Sequence, residues 1–195
     1  MFVKICGINS LEAVAAAVRS GVDALGFVFA ESPREVTPEQ AKELCVGLPG
    51  HVVRIAVMRH PYAERWSRVL EVFAPDWLQT DADDLPAIKL PVGCVALPVY
   101  RDGNAPADAD LPDRLLWEGT HSGSGQLADW DEAQGLSHVA EVILAGGLTA
   151  DNVADAVRFV KPWGVDVSSG VESSRGVKDP AKIEEFVARV RATQE

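Results

Sequence analysis

The sequence has few basic residues. Lys and Arg number 18 against 29 Asp and Glu, which gives a formal net charge of −11 at pH 7. Proteins that bind nucleic acids need basic patches to contact phosphates, so this balance argues against a nucleic-acid partner. It leaves a small phosphorylated ligand open, because such binding is local. No apolar run approaches the roughly 20 residues that cross a bilayer, so we expect no membrane partner.

Cysteine is also scarce. Cys6, Cys45 and Cys94 are odd in number and lack the spacing of a metal site. The four histidines are scattered without ligand spacing, so the sequence predicts no metal site. The first residues enter a strand rather than a signal peptide. We therefore expect a reduced, cytoplasmic setting.

The chain is long enough for one domain, and we predict a single domain over residues 1–195. Apolar, β-branched runs alternate with helical patterns, and their lack of polar alternation suits a parallel sheet buried on both faces. The predicted fold class is α/β, a (β/α)8 TIM barrel. A doubly wound open sheet is the alternative if one or two weak strands are false. The predicted strands are Phe2–Cys6, Ala24–Phe29, Val52–Met58, Trp77–Gln79, Val92–Pro98, Arg114–Trp117, Val142–Ala145 and Gly164–Val167.

Helix signals lie between these strands. Ser10 is a plausible N-cap for a helix that Gly21 ends, and Thr37 begins a capping box with Pro38 at the first helical position. The segment after the fourth strand is weaker and favours only a short helix, and residues 102–112 have the composition of a loop. The predicted helices are Leu11–Ser20, a helix from Thr37 toward Leu48, Pro61–Phe73, Leu127–Gln134, Thr149–Val160 and Asp179–Thr193.

Two consecutive strand–loop–helix units near the C-terminus carry a phosphate-binding pattern. Gly146 and Gly147 follow the seventh strand, and Ser168, Ser169 and Gly170 follow the eighth. Small residues at strand ends let backbone N–H groups face an anion. The last units of a (β/α)8 barrel often bind a phosphate in this way.

Active sites of such barrels lie at the C-terminal ends of the strands, which selects the candidates for chemistry. Cys6 ends strand one and is either a base or nucleophile or a buried structural thiol. Glu118 follows strand six beside Trp117, which we place near a ligand, and is either an acid or a solvated loop residue. Asp166 is either structural or ligand-binding. Arg34 is placed to pair with a substrate carboxylate. The Gly-rich segment 122–125 either closes over a ligand or simply connects two elements, and His121 is expected to be exposed.

Several motifs in chain order make the sequence resemble the phosphoribosylanthranilate isomerases of tryptophan biosynthesis. The resemblance runs from end to end, and its two terminal motifs are highly specific. The motifs are Val3-Lys-Ile-Cys-Gly-Ile8, Asp23-Ala-Leu-Gly-Phe-Val-Phe29 with Ser32-Pro-Arg34, Gly123-Ser-Gly125 before Asp129-Trp130, Leu144-Ala-Gly-Gly-Leu148 with Asn152, and Val165-Asp-Val-Ser-Ser-Gly-Val-Glu172.

The resemblance implies an Amadori rearrangement without a cofactor. A general acid opens the ribose ring of N-(5-phosphoribosyl)anthranilate to a Schiff base, a general base removes the C2 proton, and the enolamine becomes a ketone. It makes Cys6 the base and Arg34 the partner of the anthranilate carboxylate, with Lys4 and Asp166 as further substrate contacts. The phosphate would lie against Gly146, Gly147, Ser168, Ser169 and Gly170.

Three departures from the family pattern make this a divergent member. The usual Leu-Leu-Asp of strand six, whose Asp is the acid, is replaced by Leu115-Leu-Trp-Glu118, so we predict that Glu118 is the acid. The usual Gln-Leu-His-Gly of strand four becomes Trp77-Leu-Gln-Thr-Asp81. Strand five ends Ala96-Leu-Pro98, where a Lys is often seen.

Two other functions stay open at this point. One is the related sugar isomerase of histidine biosynthesis, or a dual-substrate version, which uses an Asp where Cys6 stands and holds two phosphates. The other is a paralogue that binds a phosphorylated sugar ligand with altered substrate or no catalysis. The sequence predicts a small phosphorylated substrate as partner, and a monomer and a homodimer are equally compatible with it.

Overall fold

The computed structural model describes residues 1–107, 111–120 and 127–194. Eight parallel strands close into a barrel in which each strand pairs with its neighbours in sequence and β1 pairs with β8. The (β/α)8 prediction is confirmed, and the open doubly wound sheet is wrong. The strands are β1 Phe2–Cys6, β2 Ala24–Val28, β3 Val53–Val57, β4 Trp77–Asp81, β5 Val95–Arg101, β6 Arg114–Glu118, β7 Glu141–Leu144 and β8 Gly164–Val167.

The helices surround this barrel, but not one per strand. A six-residue 3₁₀ helix, Ala82–Ala87, connects β4 to β5, and no helix lies among the described residues between β5 and β6. A short 3₁₀ turn, Ser169–Val171, and a hairpin of β9 Glu172–Ser174 and β10 Val177–Lys178 follow β8. The α-helices of the described chain are α1 Leu11–Arg19, α2 Pro38–Leu44, α3 Ala63–Val72, α4 Trp130–Ser137, α5 Val153–Val160 and α6 Pro180–Ala192.

Three strands differ from their predicted bounds in ways that affect the site. Gly93 adopts a φ of +91° in a turn, so β5 begins at Val95 and Cys94 precedes it instead of lying within it. That strand runs on to Arg101, three residues past the predicted end. β4 and β6 likewise extend to Asp81 and Glu118. Three charged side chains are thereby fixed on strands rather than in loops.

The parallel register decides which side chains enter the barrel. Arg101 pairs with Glu118, Leu116 pairs with Ile143, and Lys4 pairs with Asp166. Side chains alternate along a strand, so Glu118 lies on the interior face with Leu116. Trp117 points the other way, is fully buried against the helix layer, and does not line the cavity. Its predicted place near a ligand is therefore wrong.

The barrel is closed at its N-terminal end by aromatic rings. Phe2 stacks on Trp77 and Trp163 with ring centroids 5.4 and 4.7 Å apart, and the Arg114 guanidinium lies over both indoles. A small apolar layer of Leu97, Val99, Leu116, Ile143 and Ala145 lies inside the barrel. Only the C-terminal end is left for a site. None of the helices described is long and apolar enough to span a membrane.

Candidate active site

A cavity of about 200 Å³ opens at the C-terminal ends of the barrel strands. The last residue of β1, the loops after β2, β3, β7 and β8, and the last residues of β4 to β6 form its wall. Most predicted site residues line it, whereas Lys4 and Gly170 do not. The predicted residues that it brings together are Cys6, Arg34, Glu118, Gly146, Gly147, Asp166, Ser168 and Ser169.

Cys6 is the last residue of β1 and is buried at the base of the cavity. Gly7 follows with a φ of +78°, and a Cβ there would lie 2.5 Å from Cδ of Arg34. This glycine therefore allows Arg34 to cross the end of β1. Burial raises the pKa of the Cys6 thiol, and the nearby Lys4 ammonium offsets part of that rise. These surroundings favour Cys6 as a thiol near neutral pH.

Lys4 lies beneath the cavity instead of in its wall. Its ammonium is fully buried and donates to Oδ1 of Asp166 at 2.8 Å. Burial opposes the charged form, but Asp166 and Cys6 outweigh it and the pKa of Lys4 is raised. A side chain at Gly26 would come within 3.1 Å of the Lys4 Nζ, which explains the glycine. Lys4 was predicted to contact the substrate directly, but it does not line the cavity and instead holds Asp166 in place.

Arg34 is held by the carboxylate of Glu172, a residue of the C-terminal motif to which the sequence analysis gave no role. Its Nε and Nη2 donate to the two oxygens of Glu172 at 2.6 and 3.0 Å. Lys178, whose side chain is fully buried, donates to Glu172 at 2.8 Å and to the carbonyl oxygen of Ser168 at 2.9 Å. Burial alone would raise the pKa of Glu172, but hydrogen bonds from Arg34, Lys178 and the Gly176 N–H lower it to about 2. Sequence reasoning missed Lys178, because a lysine in a two-residue strand gives no pattern.

Glu118 pairs with Arg101, which in turn contacts Asp81, and the sequence predicted a role for neither. Arg101 donates from Nη2 to the Glu118 carboxylate at 2.8 Å, and its Nη1 contacts Asp81. A guanidinium at this distance favours an ionised carboxylate. Both partners could have been found only by extending β4 and β5 beyond their predicted ends.

The loops after β7 and β8 present backbone N–H groups that have no acceptor among the described residues. Gly146 and Gly147 have φ values of +88° and +64°, and no described residue accepts from their N–H groups. Asn152 fixes this loop by donating to the Gly147 carbonyl at 2.9 Å and accepting from the Thr149 N–H at 2.8 Å.

Gly170 is not exposed to the cavity. A Cβ at Gly170 would lie 2.0 Å from the Leu148 carbonyl oxygen, so its role is to let the two loops touch.

His60, Asp81 and Asp84 come together at one edge of the cavity, although the sequence gives no ligand spacing. Their possible ligand atoms lie within 4.8 Å of one another. Both ring nitrogens of His60 already face the carboxylates, and Asp84 also accepts from Thr80. We assign no metal to this cluster. The predictions for His121 and for residues 122–125 lie outside the described residues.

The comparisons with known proteins agree with this geometry. The model of the family "N-(5'phosphoribosyl)anthranilate (PRA) isomerase" matches residues 3–189. Curated isomerases of that name from Pelobacter propionicus and Pseudomonas fluorescens are 38% and 41% identical to this chain. The alignments cover 98% and 96% of the chain and 96% and 97% of the relatives. The chain belongs to this family.

Solved structures of the family share the fold over nearly the whole chain. The phosphoribosyl anthranilate isomerase of Thermus thermophilus is 32% identical with a TM-score of 0.85 and covers 98% of this chain and 99% of its own. TrpF of Jonesia denitrificans is 35% identical with a TM-score of 0.82 over 100% and 98%. Another isomerase, 29% identical with a TM-score of 0.82 over 98% and 99%, was solved with reduced 1-(o-carboxyphenylamino)-1-deoxyribulose 5-phosphate.

Proposed function

We propose that this protein is an isomerase of tryptophan biosynthesis that converts N-(5'-phosphoribosyl)anthranilate to 1-(2-carboxyphenylamino)-1-deoxyribulose 5-phosphate. The observation that carries the proposal is one cavity, in a chain of this family, that combines Cys6, Glu118 and the free N–H groups after β7. A relative that binds a reduced form of this ketose phosphate supports the choice of ligand. The chemistry needs one acid and one base, and we assign no cofactor.

In the proposed reaction Glu118 donates a proton to the ribose ring oxygen, and the C1–O bond breaks to leave a Schiff base. Cys6 as the thiolate then removes the C2 proton, and the enolamine becomes the ketone by taking a proton at C1 and releasing the proton of its C2 hydroxyl. Such positioned proton transfers each contribute about 10²- to 10⁴-fold in rate. The interior-facing register of Glu118 supports its role as the acid.

The surroundings of the two groups favour the opposite arrangement, with the proton on Cys6 rather than on Glu118. Burial keeps Cys6 a thiol, and Arg101 favours the Glu118 carboxylate. The proposed reaction needs the proton on Glu118 and the thiolate at Cys6, so the reactive arrangement is the less populated one. The cationic Schiff base stabilises a neighbouring thiolate once the ring has opened. This accounts for a buried thiol that acts as a base.

The two ends of the cavity suit the two ends of the substrate. We assign the phosphate to the N–H groups of Gly146, Gly147 and Ser169, supported by their lack of described acceptors. Asp166 reaches the cavity between these loops and Cys6, where we assign it to the ribose hydroxyls. Ser168 is held by Lys178 and supports the phosphate loop from behind. Arg34 contributes its remaining Nη1 edge to the anthranilate carboxylate.

The divergent paralogue is the second candidate, and the salt bridge from Arg101 to Glu118 is its support. Retention of Cys6, the phosphate loops and a family match over the chain favours the isomerase. We further propose one domain, a cytoplasmic setting and no nucleic-acid or membrane partner. Free Cys6, Cys45 and Cys94 agree with a reduced compartment.

The test is turnover of N-(5'-phosphoribosyl)anthranilate by the purified protein, followed by loss of the substrate's fluorescence. We expect conversion by the native protein and a loss of about 10³-fold or more in Cys6→Ala. Cys45→Ala, which removes a thiol outside the cavity, is the matched control and retains activity. Substrate binding without turnover would establish the paralogue instead. The absence of both binding and turnover would refute both candidates.

A further inference from the structure

Arg59 lies at the rim of the cavity and has no place in the sequence motifs. It is the second residue after β3, two positions beyond the interior-facing Val57, and it lines the cavity with Met58. Its side chain is exposed, and no described residue accepts a hydrogen bond from it. A guanidinium with all of its donors available faces the place where a substrate enters.

The other arginines of the cavity wall are already held by carboxylates. Arg101 contacts Asp81 and Glu118 at once. Arg34 has Nε and Nη2 on Glu172, in the paired geometry that a free carboxylate would otherwise take. Among the cavity-lining residues that the structure describes, Arg59 is the cation without an acidic partner.

The substrate requires more positive charge than Arg34 supplies. It carries about two negative charges on its phosphate and one on its carboxylate. Arg34 and Lys178 both pair with the single negative charge of Glu172, so these three residues have a net charge of +1. Lys178 donates its hydrogen bonds to Ser168 and Glu172 rather than to the cavity. One further cation is needed near the carboxylate.

The position of Arg59 fits the aromatic end of the substrate. The free N–H groups lie after β7, and in an eight-stranded barrel β3 stands opposite β7. Val28, Val57 and Met58 give the β2–β3 side an apolar wall that suits an aromatic ring. A ligand with its phosphate at β7 and β8 therefore places its ring and carboxylate toward Arg59.

We propose that Arg59 binds the anthranilate carboxylate, together with the free edge of Arg34, and sets the preference for a substrate with a carboxylate beside the amine. The proposal rests on the proposed function and extends it to substrate selection. Because the carboxylate does not react, Arg59 acts in binding rather than in proton transfer. Its loss changes KM and leaves the chemical step in place.

The experiment compares the native protein with Arg59→Gln, Arg59→Lys and the control Arg68→Gln, which removes an exposed charge from α3. In Arg59→Gln we expect KM to rise about 10- to 100-fold while kcat changes less than about 3-fold. Arg59→Lys keeps the positive charge but lacks the paired donors of the guanidinium, so we expect its KM to lie between those of the native protein and Arg59→Gln. Arg68→Gln leaves both constants unchanged.

Ligand binding separates this proposal from general electrostatics. Calorimetry would compare the carboxylated ketose product with its analogue lacking the carboxylate, and with inorganic phosphate. We expect Arg59→Gln to lose the preference for the carboxylated ligand and to bind phosphate as the native protein does. An unchanged preference, or an equal loss for all three ligands, would overturn the proposal. Because it needs no turnover, this measurement stands even if the proposed reaction fails.

Discussion

At the scale of single residues, the site is a set of charges held by partners from neighbouring strands. Lys4 on β1 holds Asp166 on β8, and Arg101 on β5 holds Glu118 on β6. Each pair is adjacent in the sheet register, so the strand pairing itself sets the distances. The charges that surround Cys6 and Glu118 therefore depend on strand register.

The proposed roles of Cys6 as base and Glu118 as acid predict a specific pH dependence. With both groups present, we expect kcat/KM to stay flat through neutrality and to fall in the alkaline range, above the raised pKa of the Cys6 thiol. In Glu118→Gln the acid is lost, and turnover at pH 7 drops roughly 100-fold or more. The residual rate then depends on thiolate alone and rises about tenfold per pH unit into the alkaline range. Steady-state kinetics from pH 6 to roughly pH 10 would measure both profiles.

Glu12→Gln is the control for this prediction, because Glu12 is exposed on α1 and does not line the cavity. It should keep the native profile. Near-normal turnover in Glu118→Gln, or a residual rate that does not change with pH, would show that Glu118 is not the acid.

At the scale of elements, the loops after β7 and β8, to which we assign the phosphate, act as one unit. Gly170 lies against the Leu148 carbonyl with no room for a side chain. Gly170→Ala would push the loops apart, at a cost of about 1–3 kcal/mol in free energy of unfolding. We expect phosphate affinity to fall about 10-fold or more, as measured by inhibition with inorganic phosphate.

Gly135→Ala tests whether that effect belongs to the loop contact. Gly135 lies within α4, and a Cβ there meets nothing within 4 Å. The exchange should leave phosphate inhibition unchanged and stabilise the helix by roughly 0.5–1 kcal/mol. Equal phosphate affinity in Gly170→Ala and Gly135→Ala would contradict the proposed contact between the loops.

The hairpin of β9 and β10 contributes stability through Glu172. Glu172→Gln leaves Arg34 and Lys178 buried without their carboxylate, so we expect a loss of roughly 3 kcal/mol in free energy of unfolding at pH 7. The pKa of Glu172 is about 2 in the folded protein and near 4.3 when unfolded. Its contribution is therefore complete above about pH 4.5 and is lost as pH falls toward 2.

Urea unfolding at several pH values measures this contribution. The native protein should lose more stability between about pH 5, which lies above the unfolded-state pKa of Glu172, and about pH 2.5, which lies near its folded-state pKa, than Glu172→Gln does. Glu184→Gln, which breaks an exposed pair with Arg19, should cost less than about 1 kcal/mol. Parallel pH curves for the native protein and Glu172→Gln would contradict the assignment.

The elements show why sequence reasoning reached the fold but only part of the site. Apolar runs and glycine pairs mark β1, β7 and β8 directly, and Cys6 and Gly146 follow from them. The partners of those residues come from long-range register, which no local pattern contains. Arg101 lies on β5 only because that strand begins at Val95 and extends beyond Pro98, which the local sequence did not indicate. Lys178 and Arg59 lie just outside regular patterns, and their burial or exposure decides their roles.

At the scale of the whole molecule, the closed barrel joins the two ends of the chain into one site. β1 supplies Cys6 and Lys4, β8 supplies Asp166, and these strands pair directly. Arg191 of α6 donates to the Met1 carbonyl at 2.6 Å and to the Asp23 carboxylate at 2.9 Å, which fixes the same junction from outside. The cavity therefore exists only when the barrel is closed, and we expect activity and folding to be lost together.

The most direct test of the account is conversion of N-(5'-phosphoribosyl)anthranilate by the purified protein in deuterium oxide, followed by NMR. The account predicts a ketose phosphate that carries solvent deuterium at C1, formed by the native protein and not by Cys6→Ala. Intact substrate after prolonged incubation with the native protein, or equal conversion by Cys6→Ala, would contradict it.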